Sequence, residues 1–240
     1  MRSTRLFIAL VCLSFGIPSL HADFDANELQ TRIHETIEMV QPAVVAIRGN
    51  RSAFSGVIVS ADGHVLSAGH AVKPGSRYQV ILPDGRRFRA QGKGSNRKAD
   101  CALVQITEKF SDLPFVQIGD SSNLVANQPC IGISFPGGQG TQEQPAVRFG
   151  RIVRNARPGG MLQSTALMEP GDSGGALFDL DGRVIGIHSR IGRSMNQNFE
   201  VPIDVYKKFW NELNAERSFT GGSRLILGIE AREREDAVGV

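Results

Sequence analysis

The sequence predicts an all-β domain, a sandwich or a barrel of roughly a dozen short strands bracketed by two helices. Three observations carry this expectation. Glycine numbers 27 and proline 11 among 240 residues, so turns are frequent. Asp-Gly pairs join apolar runs at Asp62-Gly63, Asp84-Gly85 and Asp181-Gly182, the strongest short-range hairpin signal. The other apolar runs are short and bounded by turn residues.

In chain order, "DANELQTRIHETIEMV" (Asp25 to Val40) spaces Leu29, Ile33, Ile37 and Val40 by three and four, the pattern of an amphipathic helix. Pro42 ends it. "VVAIRG" is a first strand, and "SGVIVSADGHVLSAGH" a hairpin around Asp62-Gly63. "YQVILPDGRRFRAQ" repeats that arrangement at Pro83-Asp84-Gly85, and "ALFDLDGRVIGIHS" at Asp181-Gly182. "CALVQI", "PCIGISF" and "VRFGRIV" are further strands. "IDVYKKFWNEL" (Ile203 to Leu213) is a second helix with Val205, Phe209 and Leu213 on one side. The tail after residue 215, "TGGSRLILGIEAREREDAVGV" in its main part, holds one apolar run and then charge, too little to bury a core. It adds an edge strand to the body or opens a further domain.

Residues 1–22 have the form of a secretory signal peptide. Arg2 and Arg5 precede an apolar run from Leu6 to Ile17, and the small residue Ala22 closes it. The run is shorter than the about 20 residues of a spanning helix, so the mature protein, residues 23 onward, is expected in the periplasm or secreted, without membrane insertion. Removing Arg2 and Arg5 from 27 basic residues leaves 25 against 24 acidic ones, which argues against a nucleic-acid partner. Cys101 and Cys130 remain. Export permits a disulfide between them, but two buried free thiols are equally compatible with the sequence. No His/Cys cluster has metal-ligand spacing, and no cofactor is expected.

The chemistry centres on "EPGDSGGALFDLDGRVIGI" (Glu169 to Ile187). Serine is a poor nucleophile unless a base takes its proton, an acid orients the base and donors receive the oxyanion. Ser173 lies in "GDSGG", where Gly171 can turn its own N–H and that of Ser173 toward one point. Gly174 and Gly175 are expected to leave room for a substrate backbone. The base is a histidine, because its ordinary pKa suits work near neutrality. His21 leaves with the leader, His34 is in the first helix, His64 in a turn, and His188 in the strand behind the serine. His70, in "VLSAGHAV", ends a strand among small residues and is the best candidate. For the acid, Asp100 in "KADCALVQI" stands at the mouth of an apolar strand. Asp84 and Asp181 are turn residues, and Asp112 and Asp120 lie in polar loops.

The order His70, Asp100, Ser173 is one of several convergent orders for such a triad. "VLSAGHAV", "DCALVQI" and "PGDSGGALFDLDGRVIGIHS" resemble the three catalytic blocks of trypsin-like serine peptidases. "GISFPGG" and "VRFGRIVR" are similar to the bacterial HtrA/DegP-like branch. The resemblance covers roughly residues 30 to 210 and implies a double six-stranded β-barrel of chymotrypsin type with its cleft between the barrels. His70 is then general base and acid, Asp100 fixes its tautomer, Ser173 forms the acyl-enzyme, and Gly171 and Ser173 supply the oxyanion hole. Ser189 matches the strand residue that pairs with a substrate backbone. Leu167 and Met168 fall where the substrate pocket is lined, which implies small or medium aliphatic side chains before the scissile bond, with Glu169 a carboxylate near the mouth.

The resemblance therefore implies an exported serine endopeptidase acting on protein or peptide substrates, of possible use in protein quality control. A possible homo-oligomer is also implied, since HtrA relatives often assemble through N-terminal segments. Two departures stand out. The HtrA-like branch usually has asparagine before the serine, whereas this chain has Asp172, and no Ile-Val-Gly-Gly segment offers it an amine. The tail resembles the first strand of a PDZ domain without the rest. A chymotrypsin-fold binding module without activity is the alternative reading of the same blocks, and an esterase on the same triad a weaker one.

Overall fold

The structure is a computed structural model that describes residues 26–50, 52–137, 144–157, 159–194 and 197–220. The leader 1–22 and the tail 221–240 lie outside the described residues. Helix α1 (Ala26–Val40) leads through a short turn of 3-10 helix (Gln41–Ala43), where Pro42 sits, into strand β1 (Val44–Arg48).

Six strands close the first barrel: β1, β2 (Ala53–Ile58), β3 (His64–Ala68), β4 (Arg77–Ile81), β5 (Arg87–Asn96) and β6 (Cys101–Ile106). Their order around it is β1-β2-β3-β6-β5-β4. Six more close the second: β7 (Pro129–Ser134), β8 (Ala146–Arg154), β9 (Leu162–Ser164), β10 (Ala176–Phe178), β11 (Val184–Ile191) and β12 (Asn198–Pro202). These run β10-β11-β12-β9-β8-β7. All of the pairings are antiparallel, and closure leaves neither sheet an open edge. The Asp-Gly turns fall where the sequence puts them, with Gly63, Gly85 and Gly182 at positive φ. Strands β9 and β12 escape the sequence reading, because "LQS" is three residues long and "NFEVP" carries Asn198 and Glu200 on its buried side.

Each barrel is filled by its inward side chains, among them Ile47, Ile58, Val65 and Val80 in the first and Ile152, Leu162, Leu177 and Ile185 in the second, all buried. Full burial of one such side chain is worth about 1.5–3 kcal/mol. Helix α1 lies on the β10–β11 turn: Thr36 is buried with its Oγ1 2.9 Å from the Leu180 carbonyl, and Arg32 pairs with Asp181 at 3.0 Å.

The expected C-terminal helix is broken into α2 (Ile203–Lys208) and α3 (Trp210–Asn214). At the break Phe209 turns inward onto the ring of Phe219, while Trp210 packs at a tilt against His64, so the two halves serve different neighbours. Ser218 bridges Ser95 in parallel, which lays the first residues of the tail beside the end of β5 that runs beyond its pairing with β4. Cys101 and Cys130 are free, buried thiols on β6 and β7. The disulfide that the sequence permits does not form, because each cysteine is a packing residue of a different barrel. Burial pushes both thiols up to about 12. No helix among the described residues is long and apolar enough to cross a membrane.

Candidate active site

Three pieces of chain meet between the barrels, and local pairing explains how. Strands β3 and β6 pair with Ala68 opposite Cys101, so the residues just beyond each strand end, His70 and Asp100, are neighbours. The Asp100 carboxylate accepts both the His70 backbone N–H, at 2.8 Å, and Nδ1, at 2.9 Å. Its backbone sits at φ +55, a left-handed conformation that aspartate tolerates better than most residues and that is enriched at functional positions.

Ser173 comes from the other barrel. Its loop is tied to β11 by reciprocal bonds: the Gly174 N–H donates to the His188 carbonyl and the His188 N–H to the Gly175 carbonyl, each at 2.8 Å. Ser173 Oγ then stands 3.1 Å from His70 Nε2. With a proton on Nδ1 facing the carboxylate, Nε2 is left as an acceptor for the serine hydroxyl. Asp100 also raises the His70 pKa above 6.5, chiefly through this hydrogen bond, against burial and the nearby cations Arg97 and Arg190.

Other predicted residues fall as follows. Ser189 Oγ donates a short hydrogen bond to Asp100 Oδ2, and its carbonyl lies 3.4 Å from Ser173 Oγ. The hydroxyl of Ser189 thus supports the acid. Leu167 is exposed (46 %), while Met168 is packed down (7 %) with its N–H on Asn198 Oδ1. Gly171 is at φ +102, where a side chain would be strained. The N–H groups of Gly171 and Ser173 meet no acceptor among the described residues. Gly174 does not leave room for substrate. A Cβ there would lie 2.1 Å from the Ser55 carbonyl oxygen and 2.2 Å from Ser67 Oγ, so the missing side chain lets the serine loop touch the first barrel. Gly175 is likewise filled, by Ser134 and Ile133.

Three residues of this site were missed from the sequence. Ser55 stitches the barrels together. Its N–H donates to the Ser173 carbonyl (2.9 Å), its Oγ donates to the Gly171 carbonyl (2.9 Å), and the same Oγ accepts from the Phe135 N–H (2.9 Å). Ser134 and Arg148 surround Asp172, which is 1 % exposed. Ser134 Oγ donates to Asp172 Oδ1 at 2.8 Å, the Glu169 N–H donates to Oδ2 at 2.7 Å, and Arg148 reaches Oδ2 at 3.2 Å. One sequence signal for Arg148 existed. It shares the inward phase of "VRFGRIV" with Gly150 and Ile152, where an arginine needs a buried partner.

Behind the loop, the second barrel holds a fully buried pair, His188 and Glu200, 3.7 Å apart, with Ser164 Oγ donating to Glu200 Oε1 at 2.6 Å. Burial raises the Glu200 pKa. His188, in the strand behind the serine, is thus a core residue.

Two closed six-stranded barrels define the chymotrypsin-like fold, here with a serine, a histidine and an aspartate hydrogen-bonded in sequence between them. A family profile described as "Trypsin-like peptidase domain" matches residues 54–187, and the chain belongs to that family. A "Probable periplasmic serine endoprotease DegP-like" of Pseudomonas fluorescens is 35% identical over 222 residues, covering 87% of this chain and 45% of the relative. One of the same description from Hahella chejuensis is 36% identical over 169 residues, covering 68% and 36%. The chain therefore spans less than half the length of these curated relatives. Among solved structures, "HtrA-type protease AlgW with tripeptide" superposes with a TM-score of 0.66 at 29% identity, over 75% of this chain and 62% of that one. A serine endoprotease from Yersinia pestis gives 0.67 at 26%, over 75% and 65%.

Proposed function

We propose that the chain is an exported serine endopeptidase that cleaves peptide bonds through an acyl-enzyme on Ser173. The observation that carries the reading is the unbroken line from Asp100 through both nitrogens of His70 to Ser173 Oγ, at 2.9 and 3.1 Å. Both distances fit proton transfer in a nucleophile–base–orienter set.

In the first step His70 Nε2 takes the serine proton as Oγ attacks the substrate carbonyl. Asp100 keeps the second proton on Nδ1 and stabilises the imidazolium. The N–H groups of Gly171 and Ser173 receive the oxyanion. Collapse breaks the C–N bond, and His70 returns its proton to the leaving amine. Water, deprotonated by the same imidazole, then frees the second product.

The names of the relatives support a periplasmic location, and residues 1–22 supply the signal for export. Met168 at the foot of the serine loop favours aliphatic residues before the scissile bond. Unfolded or damaged exported proteins are the proposed substrates, and a homo-oligomer the proposed assembly.

A fluorophosphonate probe tests this directly. The folded protein should be labelled, and Ser173→Ala should abolish labelling. Folded protein that stays unlabelled would leave the alternative, a binding module on a peptidase fold. Profiling cleavage of a denatured protein mixture reads the pocket: cuts after Lys, Arg or Glu would contradict the aliphatic preference.

A further inference from the structure

Asp172 is a buried carboxylate one residue from the nucleophile, and its position decides where the Gly171 and Ser173 N–H groups point. An unpaired charge there would cost far more than a surface ion pair gains, so the group needs a complete set of donors. It has one. Oδ1 accepts from Ser134 Oγ, and Oδ2 accepts from the Glu169 N–H. Arg148 closes a ring. One of its terminal nitrogens donates to Ser134 Oγ at 3.1 Å, and the other lies 3.2 Å from Asp172 Oδ2 and 3.2 Å from Glu169 Oε2. Ser134 has a single hydroxyl proton, committed to Asp172, so the guanidinium donation fixes the direction of that bond. Arg148 is itself largely buried, with its side chain 17% exposed, on a strand whose alternate residues Val147, Phe149 and Val153 are exposed. Its inward orientation is therefore specific, since a solvated arginine had the outer face of β8 available.

The same loop is fixed a second time at the preceding peptide. The Gly137 N–H donates to the Pro170 carbonyl at 2.7 Å. The Pro170–Gly171 peptide is trans, so its Gly171 N–H points away from Gly137. Asp172 on one side and the Pro170 carbonyl on the other thus clamp the single turn that carries both donor N–H groups.

We propose that Arg148 is the positioning residue of the active site: it is the internal counter-charge that holds Asp172, and through Asp172 it keeps the Gly171 and Ser173 donors aimed for the oxyanion. The site is then competent without an amine delivered from elsewhere in the chain. The proposal rests on the serine-peptidase reading and specifies how its oxyanion hole is set. The ionisable groups in contact with the guanidinium are Asp172 and Glu169. Of these, Glu169 is largely exposed and Asp172 is the buried partner.

The test is saturation kinetics of fluorophosphonate labelling, which separates probe affinity from the first-order rate of serine modification. Arg148→Met should lower the first-order rate by roughly 10²-fold, the scale of losing one oxyanion donor, with affinity little changed. Asp172→Asn should do the same, because its amide N–H₂ meets the donors of Arg148, Ser134 or Glu169. The pair Arg148→Met with Asp172→Asn removes both charges and should recover at least about tenfold over Asp172→Asn alone, through coupling of two contacting residues. A purely structural role would instead reduce the fraction of protein that labels and leave the rate of that fraction unchanged. That result overturns the proposal, as does an Arg148→Met rate within about threefold of wild type. If Arg148→Met does not fold, the double variant against Asp172→Asn decides: recovery supports the proposal, and no recovery sinks it. Wild-type protein that fails to label contradicts the peptidase reading itself, a result separate from any of these.

Discussion

Asp100→Asn is the most informative perturbation of the triad, because it changes one atom and predicts two independent readouts. The Asp100 hydrogen bond is the largest contribution raising the His70 pKa above 6.5, and its charge adds to that. What remains in the variant is partial burial together with Arg97 and Arg190, and all three lower it. The acid limb of the labelling rate, set by neutral His70, should therefore lie above pH 6.5 in the wild type and below it in the variant. The rate at pH 8 should also fall, by roughly 10⁴-fold or about 5.4 kcal/mol, because the asparagine amide presents an N–H to Nδ1 and holds the wrong tautomer.

Stability gives the second readout, and its sign is opposite to that of the rate. A raised folded pKa means that the folded state binds the His70 proton more tightly than the unfolded chain does. That contribution is full below pH 6.5 and disappears as pH rises through the folded pKa. It is small, since the His70 side chain is 49% exposed. Urea titrations from pH 5 to 9 should show this step in the wild type and lose it in Asp100→Asn. An acid limb that stays put, or moves upward, would refute the assignment of Asp100 as the orienting acid.

Other outcomes follow from packing and burial. Gly174→Ala drives a methyl group into the Ser55 carbonyl and a left-handed backbone, and denaturant titration should show a loss of about 3 kcal/mol; less than about 1 would mean that the loop relaxes freely. Ser55→Ala strands the Phe135 N–H and frees the Gly171 carbonyl, so it should cost about 1–3 kcal/mol and slow labelling; unchanged stability would remove Ser55 as the stitch between barrels. Glu200 has a raised folded pKa, so its contribution to stability is full below pH 4.5 and is lost as pH rises through the folded value. Glu200→Gln should flatten that fall, gaining on the wild type at pH 8 relative to pH 4 in thermal melts. Cys101 and Cys130 should resist a thiol reagent in the native protein and react fully in denaturant; rapid native reaction would contradict their burial.

Much of this was legible one residue at a time. The three Asp-Gly turns, the short turn-bounded apolar runs of the strands and the amphipathic spacing of α1 are local properties, and local sterics and solvation enforce them wherever the chain goes. The three side chains that the structure brings together, His70, Asp100 and Ser173, were readable for a related reason. Histidine is scarce, with five in the chain, and Ser173 and His70 each sit in a block of small residues that has few other uses. Strands β9 and β12 were hidden because their polar residues, Gln163, Asn198 and Glu200, are tolerated only through partners that other strands bring.

What only the tertiary structure decided is the service that polar side chains perform for one another across the cleft. Nothing local in the sequence assigns the Ser189 hydroxyl a partner; the packing of β11 against the His70 loop gives it to Asp100. Asp172 was an acid without a visible partner, and Arg148, twenty-four positions earlier, answers it because β7 and β8 carry Ser134 and Arg148 to one spot. The division has a physical cause. Backbone preference and hydrophobic periodicity act over a few residues, so the order of amino acids sets them. A buried charge is stabilised by whichever donor closes around it in space, and that choice is made when the barrels close.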